Sequence, residues 1–233
     1  MNAIVTGASR GLGKATAIFL AEKGFDLYLI ATNCDLLNEL KSQLEKKHSI
    51  GVYTYTCNFS DPNQSESLAL ELSNEIKEID LLINNAGTFE FGTLEQSSSA
   101  QVQKLLNINL MGAFNISRAF IPLLKSQKKG HIFNVGSIVT DHPRFDIAAY
   151  TISKYALKGL TETLRDELKD HNVKVTELVP GSINTSSWDD VTDVPKQDFI
   201  QPQEIVDAIW MCYSQTAVSN IETLTIRPLN RDF

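Results

Sequence analysis

The sequence is poor in several things, and each shortage removes a class of protein. Only three cysteines occur in 233 residues, Cys34, Cys57 and Cys212. Odd in number, far apart and without a Cys-x-x-Cys pair, they exclude a disulfide framework and a thiolate zinc site and fit free thiols in a reducing cytoplasm. His48, His131, His142 and His171 show no ligand spacing, so no metal is expected. No apolar run approaches the ~18 residues that span a bilayer. The opening Met1-Asn2-Ala3-Ile4-Val5 has neither a basic n-region nor a long h-region, so no targeting segment and a cytoplasmic location are expected. Positive charge is in deficit, 21 basic against 28 acidic residues for a net −7. Such a surface repels phosphate backbones, and the densest basic cluster, Lys125, Lys128 and Lys129, reads as the solvated end of a helix. Nucleic acid and membrane are therefore not expected partners. Repeats, low-complexity tracts and Pro/Gly-rich linkers are missing too, which leaves one globular domain over residues 1–233.

What is present is an alternation of short apolar runs with longer 3.6-period stretches, the pattern of repeated βα units. Strands are expected at Ala3–Thr6, Asp26–Ile30, Val52–Thr56, Leu81–Asn84, His131–Val135, Lys174–Val179 and Thr223–Ile226. Helices are expected near 12–23, 34–47, 62–77, 99–125, 148–170 and 203–214, the third opened by a capping-box pattern of Asp61, Pro62 and Gln64. This predicts an α/β fold with a seven-stranded parallel sheet flanked by helices on both faces. In the 99–125 stretch, apolar residues such as Leu105, Leu110, Phe114, Ile116, Phe120 and Ile121 wrap most of the circumference. Such a helix must be covered on both sides, by a loop or by a second subunit. The second reading is preferred, as a homodimer or homotetramer through the 99–125 and 148–170 helices.

After the first strand comes Thr6-Gly7-Ala8-Ser9-Arg10-Gly11-Leu12-Gly13, then at once a helix. Glycines here suit a tight turn, close backbone approach to a pyrophosphate and close helix packing, while the helix end offers free N–H groups and partial positive charge. Tyr150 and Lys154, four apart, share one helix face. An ammonium there should lower the phenol's pKa toward the working range and make Tyr150 a proton donor and acceptor. Ser137, after the fifth strand, offers a hydroxyl to a substrate carbonyl or developing alkoxide.

The spacing T-G-x-x-x-G-x-G resembles the short-chain dehydrogenase/reductase family, and further motifs match in order. Asn84-Asn85-Ala86-Gly87 looks like its N-N-A-G segment. Asn109 stands where the family keeps a helix asparagine, and Ser137 precedes the Y-x-x-x-K pair Tyr150 and Lys154. Pro180-Gly181 followed by Thr185 looks like its P-G-x-x-x-T turn. The resemblance implies a single-domain Rossmann fold and reversible hydride transfer between a nicotinamide cofactor and a carbonyl/alcohol substrate. It implies a catalytic set of Asn109, Ser137, Tyr150 and Lys154, with Lys154 also on the ribose and Asn109 holding a water that links Lys154 to solvent. Cofactor contacts are expected from Gly7, Ser9, Arg10, Gly11, Leu12 and Gly13 in the turn, from Thr32, and from Asn58 and Phe59. Asn85, Ala86 and Gly87, the pair Tyr150 and Lys154, and Pro180, Gly181, Ile183 and Thr185 complete them.

The second strand ends Ala31-Thr32-Asn33 without the acid that selects NAD, and Arg10 is placed to meet a 2′-phosphate. NADP(H) is therefore preferred, with NAD(H) admitted, and Thr32 and Asn33 able to hydrogen-bond. Where the family usually has Asp, Asn58 is expected to accept from the adenine amino group. Residues 182–201 should form a short substrate lid in which Trp188, Val191, Val194, Phe199 and Ile200 alternate with Asp189, Asp190, Asp193 and Asp198. The reading is an NADPH-dependent reductase of a ketone or aldehyde. A 3-oxoacyl thioester reductase, using Arg144 and Lys196 toward an acyl-carrier protein, is the alternative. A non-catalytic dinucleotide-binding sensor or scaffold is a third.

Overall fold

A computed structural model describes residues 1–189, 191 and 196–230. Seven parallel strands form one sheet in the order β3-β2-β1-β4-β5-β6-β7. They are β1 (Asn2–Thr6), β2 (Asp26–Ala31), β3 (Val52–Thr56), β4 (Leu81–Asn84), β5 (His131–Val135), β6 (Lys174–Pro180) and β7 (Thr223–Ile226). Each lies within a residue of its expected place, because fully buried parallel strands read as continuous apolar runs. The order reverses between β1 and β4, and a crevice opens at such a switch point beyond the carboxyl ends of the strands.

Helices α1 (Gly11–Glu22), α2 (Cys34–Lys47) and α7 (Pro202–Tyr213) supply the residues that bury one face of the sheet. Helices α3 (Pro62–Glu75), α5 (Gly112–Gln127) and α6 (Ala148–Leu168) bury the other. A polar row crosses that second face at one register, Asn84 beside Asn134 beside Glu177. Asn84 Nδ2 donates to Ser117 Oγ of α5 at 3.0 Å and to Asn134 Oδ1 at 2.8 Å. Asn134 Nδ2 donates to Thr161 Oγ1 of α6 at 2.8 Å. Buried polar pairs of this kind fix the strand ends against both helices at the edge where the crevice opens.

Two local expectations are corrected. The 99–125 helix is three pieces: α4 (Ser99–Leu106), a π turn over Asn107–Met111, and α5. The extra residue of the π turn is invisible to a 3.6-residue period, which α4 and α5 keep separately. At the start of α3 the reciprocal box does not form. Asp61 accepts from the Asn63 N–H at 3.0 Å, while Gln64 turns its carbonyl to the Asn58 N–H at 3.1 Å. The reciprocal box occurs instead at α7, between Gln201 and Glu204. No helix among the described residues is long and apolar enough to cross a membrane.

Candidate active site

The glycine turn is shaped by what it touches. Gly7 and Gly11 have φ of +69° and +54°, which disfavour any side chain. A Cβ on Gly7 would lie 2.8 Å from Asn85 Nδ2, and one on Gly13 would overlap the Gly7 carbonyl. Thr6, which the motif includes but to which its spacing assigns no task, joins this turn to the segment after β4. Its Oγ1 accepts from the N–H groups of Asn85 and Ala86, both at 2.9 Å, and Asn85 Nδ2 donates back to the Thr6 carbonyl. Helix α1 begins beyond Arg10, an extended N-cap residue with no side-chain cap and no acid in the first turn. Its positive end therefore meets the crevice without a competing oxygen, which suits a phosphate.

Every residue expected to touch a cofactor lines one cleft of about 830 Å³, except Gly13. Gly13 lies behind the turn, where its lack of a side chain lets α1 pack on the Gly7 backbone. Two polar assignments change. The Asn33 side chain caps α2 by accepting from the Leu36 N–H at 2.9 Å, so of the pair Thr32 and Asn33 it is Thr32 that lines the cleft. Asn58 Oδ1 already accepts from the Ser60 N–H and hydroxyl at 3.0 and 2.8 Å. These two local donors compete with an adenine amino group for the Asn58 oxygen, which still lines the cleft.

Ser137, Tyr150 and Lys154 meet in the same cleft, the first buried beyond the end of β5 and the other two on α6. Lys154 is 4% exposed and donates from Nζ to the Val135 carbonyl at 2.7 Å. Desolvation pushes its pKa down to about 8, against a smaller upward pull from the Glu177 carboxylate. Burial pushes the Tyr150 phenol up to about 12, only partly offset by hydrogen bonding with Ser137. The expected lowering of Tyr150 by Lys154 is thus reversed: burial dominates, and the ammonium is turned to a backbone carbonyl.

Asn109 lies in the π turn beneath the cleft rather than in its wall. Its Nδ2 donates to the Thr88 carbonyl at 2.9 Å and to Ser153 Oγ at 2.8 Å, and its Oδ1 accepts from the Thr88 N–H at 2.8 Å. Both amide hydrogens are engaged by protein, so the side chain ties three segments together. Ser153, unread in the sequence although it immediately precedes Lys154, completes the tie by donating to the Tyr150 carbonyl at 2.7 Å.

At the far end, Trp188 and Val191 line the cleft, whereas Phe199 and Ile200 are core residues at 4% and 5% exposure. Asp189 pairs with Lys196 at 2.8 Å, and Asp198 is exposed. Asp190, Asp193 and Val194 lie outside the described residues. His142 is exposed, 3.1 Å from Arg227, and does not line the cleft. Phe89 and Phe91, which do line it, carried no periodic signal in their short loop. The described cysteines are all free, and no described group of His, Cys, Asp and Glu could hold a metal ion.

Residues 1–195 match the family model described as short chain dehydrogenase. A sepiapterin reductase from Chlorobaculum tepidum is 28% identical over 98% of this chain and 96% of its own length. A metagenomic short-chain oxidoreductase solved in complex with NADP superposes with a TM-score of 0.85 at 31% identity, covering 99% of this chain and 98% of that one. An alcohol dehydrogenase from Thermococcus sibiricus, complexed with 5-hydroxy-NADP, gives 0.89 at 27% identity over 99% and 97%. The chain belongs to the short-chain dehydrogenase/reductase family and is an NAD(P)-dependent oxidoreductase acting on alcohol and carbonyl groups.

Proposed function

We propose that the protein is an NADP(H)-dependent reductase of a neutral ketone or aldehyde, with Ser137, Tyr150 and Lys154 as its catalytic residues and Asn109 as the residue that positions them. The observation that carries this reading is their convergence with an uncapped helix end in one cleft. A bound nicotinamide supplies the hydride for reduction. Ser137 hydrogen-bonds the substrate oxygen, and Tyr150 gives that oxygen its proton as negative charge develops. A phenol held up to about 12 by burial is protonated at neutral pH and so carries the proton that reduction needs. With a cofactor bound, Lys154 would donate to its ribose and would hold positive charge beside the phenol.

Preference for NADP(H) is supported by Arg10, exposed at the cleft mouth, by Thr32 in place of an acid, and by structural neighbours that hold NADP. In this reading the 182–201 segment of the single domain supplies the lid through Trp188 and Val191, while Phe199 and Ile200 anchor it in the core. The thioester alternative is weaker because its two cations are engaged, Arg144 with Asp146 and Lys196 with Asp189. A sensor that does not turn over substrate would have no need of the catalytic set. The protein is cytoplasmic in this reading and pairs with its own copies through α4, α5 and α6.

NADPH consumption against a panel of ketones, aldehydes, quinones and 3-oxoacyl thioesters tests the proposal. Tyr150→Phe should lower turnover by about 10²–10⁴ and leave NADPH affinity within a few-fold. Cofactor binding without turnover on any carbonyl would favour the sensor instead.

A further inference from the structure

The substrate end of the cleft has a wall of aromatic rings. Phe89 stands edge-on to Tyr150 with centroids 6.1 Å apart, and tilts against Trp188 at 5.1 Å. Phe91 lies perpendicular to Phe89 at 5.6 Å, and Trp188 rests on the buried Phe199 at 5.1 Å. A continuous series of rings thus runs from the catalytic phenol out to Phe91, which lines the cleft yet is 52% exposed.

This wall is held in place before substrate arrives. Asn109 pins Thr88 by both backbone groups. Four residues on, Gly92 bridges to the 146–148 segment, donating to the Asp146 carbonyl at 2.7 Å and accepting from the Ala148 N–H at 3.0 Å. Phe89 and Phe91 lie between these two fastenings. The neighbouring acids, Glu90 and Asp189, are paired with Lys104 and Lys196 and do not line the cleft. Among the described residues lining the cleft only Arg10, Arg144 and Lys154 are charged, and the first and last belong to the cofactor's part. Arg144 holds Asp146 by two hydrogen bonds, Nε to Oδ1 at 3.0 Å and Nη2 to Oδ2 at 2.6 Å.

We infer that the substrate is an uncharged carbonyl compound bearing a flat aromatic group next to its carbonyl, which lies against Phe89 and Trp188 while the carbonyl oxygen meets Ser137 and Tyr150. Ring faces and edges set at 44–87° to one another give a flat π-system offset and edge-on contacts that a flexible chain cannot reproduce. A carboxylate on the substrate would find its one nearby cation already neutralised. The inference rests on the carbonyl-reductase reading above and narrows it.

Matched substrates test it in the full-length enzyme with NADPH. Methyl phenyl ketone and methyl hexyl ketone have the same carbon count, and kcat/KM should favour the aromatic one by about tenfold or more. Ethyl benzoylformate should likewise exceed the benzoylformate anion. Trp188→Ala should lower kcat/KM for methyl phenyl ketone by a factor several times larger than for methyl hexyl ketone, with thermal stabilisation by NADPH verifying that the variant folds. In a Trp210→Phe protein, where Trp188 is the sole indole, methyl phenyl ketone should quench fluorescence in the presence of NADP and methyl hexyl ketone should not. Equal or better use of methyl hexyl ketone, of dihydroxyacetone or of the benzoylformate anion overturns this inference alone. Failure to reduce any carbonyl or oxidise any matching alcohol overturns the reductase reading with it.

Discussion

Lys154 meets two opposed demands. Its ammonium is wanted beside a phenol, yet the residue is buried and its pKa is pushed down to about 8 from 10.5. Below pH 8 the folded and unfolded chains both carry the proton, and the folded chain bears the whole desolvation penalty. Between about 8 and 10.5 the unfolded chain binds more protons, so stability rises with pH until the penalty is gone. Lys154→Met should therefore raise cofactor-free stability at pH 7 by up to about 3 kcal/mol, at ~1.4 kcal/mol per tenfold change in proton affinity. The gain should shrink toward pH 10 in urea unfolding, while turnover is lost at every pH. In the wild type, Tyr150 remains protonated well beyond that range, so Lys154 sets the alkaline limb. kcat/KM for NADPH, which reports the free enzyme, should fall above about pH 8, and a limb first appearing near pH 10 would contradict this assignment.

At the scale of the element, the π turn decides how the site is assembled. It presents Asn109, 1% exposed, to Thr88 and Ser153 at once, and so couples the aromatic segment to α6. Asn109→Ala leaves three hydrogen bonds unmade in a largely dry place, a loss of about 2–3 kcal/mol at roughly 1 kcal/mol each. It should also lower kcat by at least tenfold through misplacement of Tyr150 and Phe89, with NADPH binding changed only a few-fold because no cleft-lining atom is removed. Thermal unfolding and steady-state kinetics on one preparation separate the two effects, and unchanged kcat in a destabilised variant would refute the coupling. The sequence made Asn109 visible but not its task. Strands such as His131–Val135 and turns such as Thr6–Gly13 were legible because composition alone dictates them. A π turn adds one residue to an otherwise regular pattern, and a side chain's partners depend on segments distant in the chain. The same holds for Asn33 and Asn58, whose oxygens are taken by local backbone groups that compete with any ligand. It holds also for Tyr150, since the depth of a phenol is not written in a four-residue spacing.

The whole molecule leaves a related question at its surface. One sheet with helices on both faces accounts for the core, but α6 displays Ile152 and Tyr155 at 41% and 44% exposure, three apart on the side of the helix away from Tyr150 and Lys154. Phe114 and Ile121 of α5 are also only half-buried. A second copy of the chain would cover these residues, and a loop would have to come from elsewhere in a sequence whose described parts are already placed. We therefore expect light scattering at micromolar concentration to give about 52 kDa for a dimer, twice the 25.9 kDa chain, or about 104 kDa for a tetramer. Tyr155→Glu would place an unpaired charge in such an interface and should shift the mass to that of one chain. A single-chain mass for the wild type at that concentration would show instead that the apolar face is simply solvated, and that the cleft is complete within one chain.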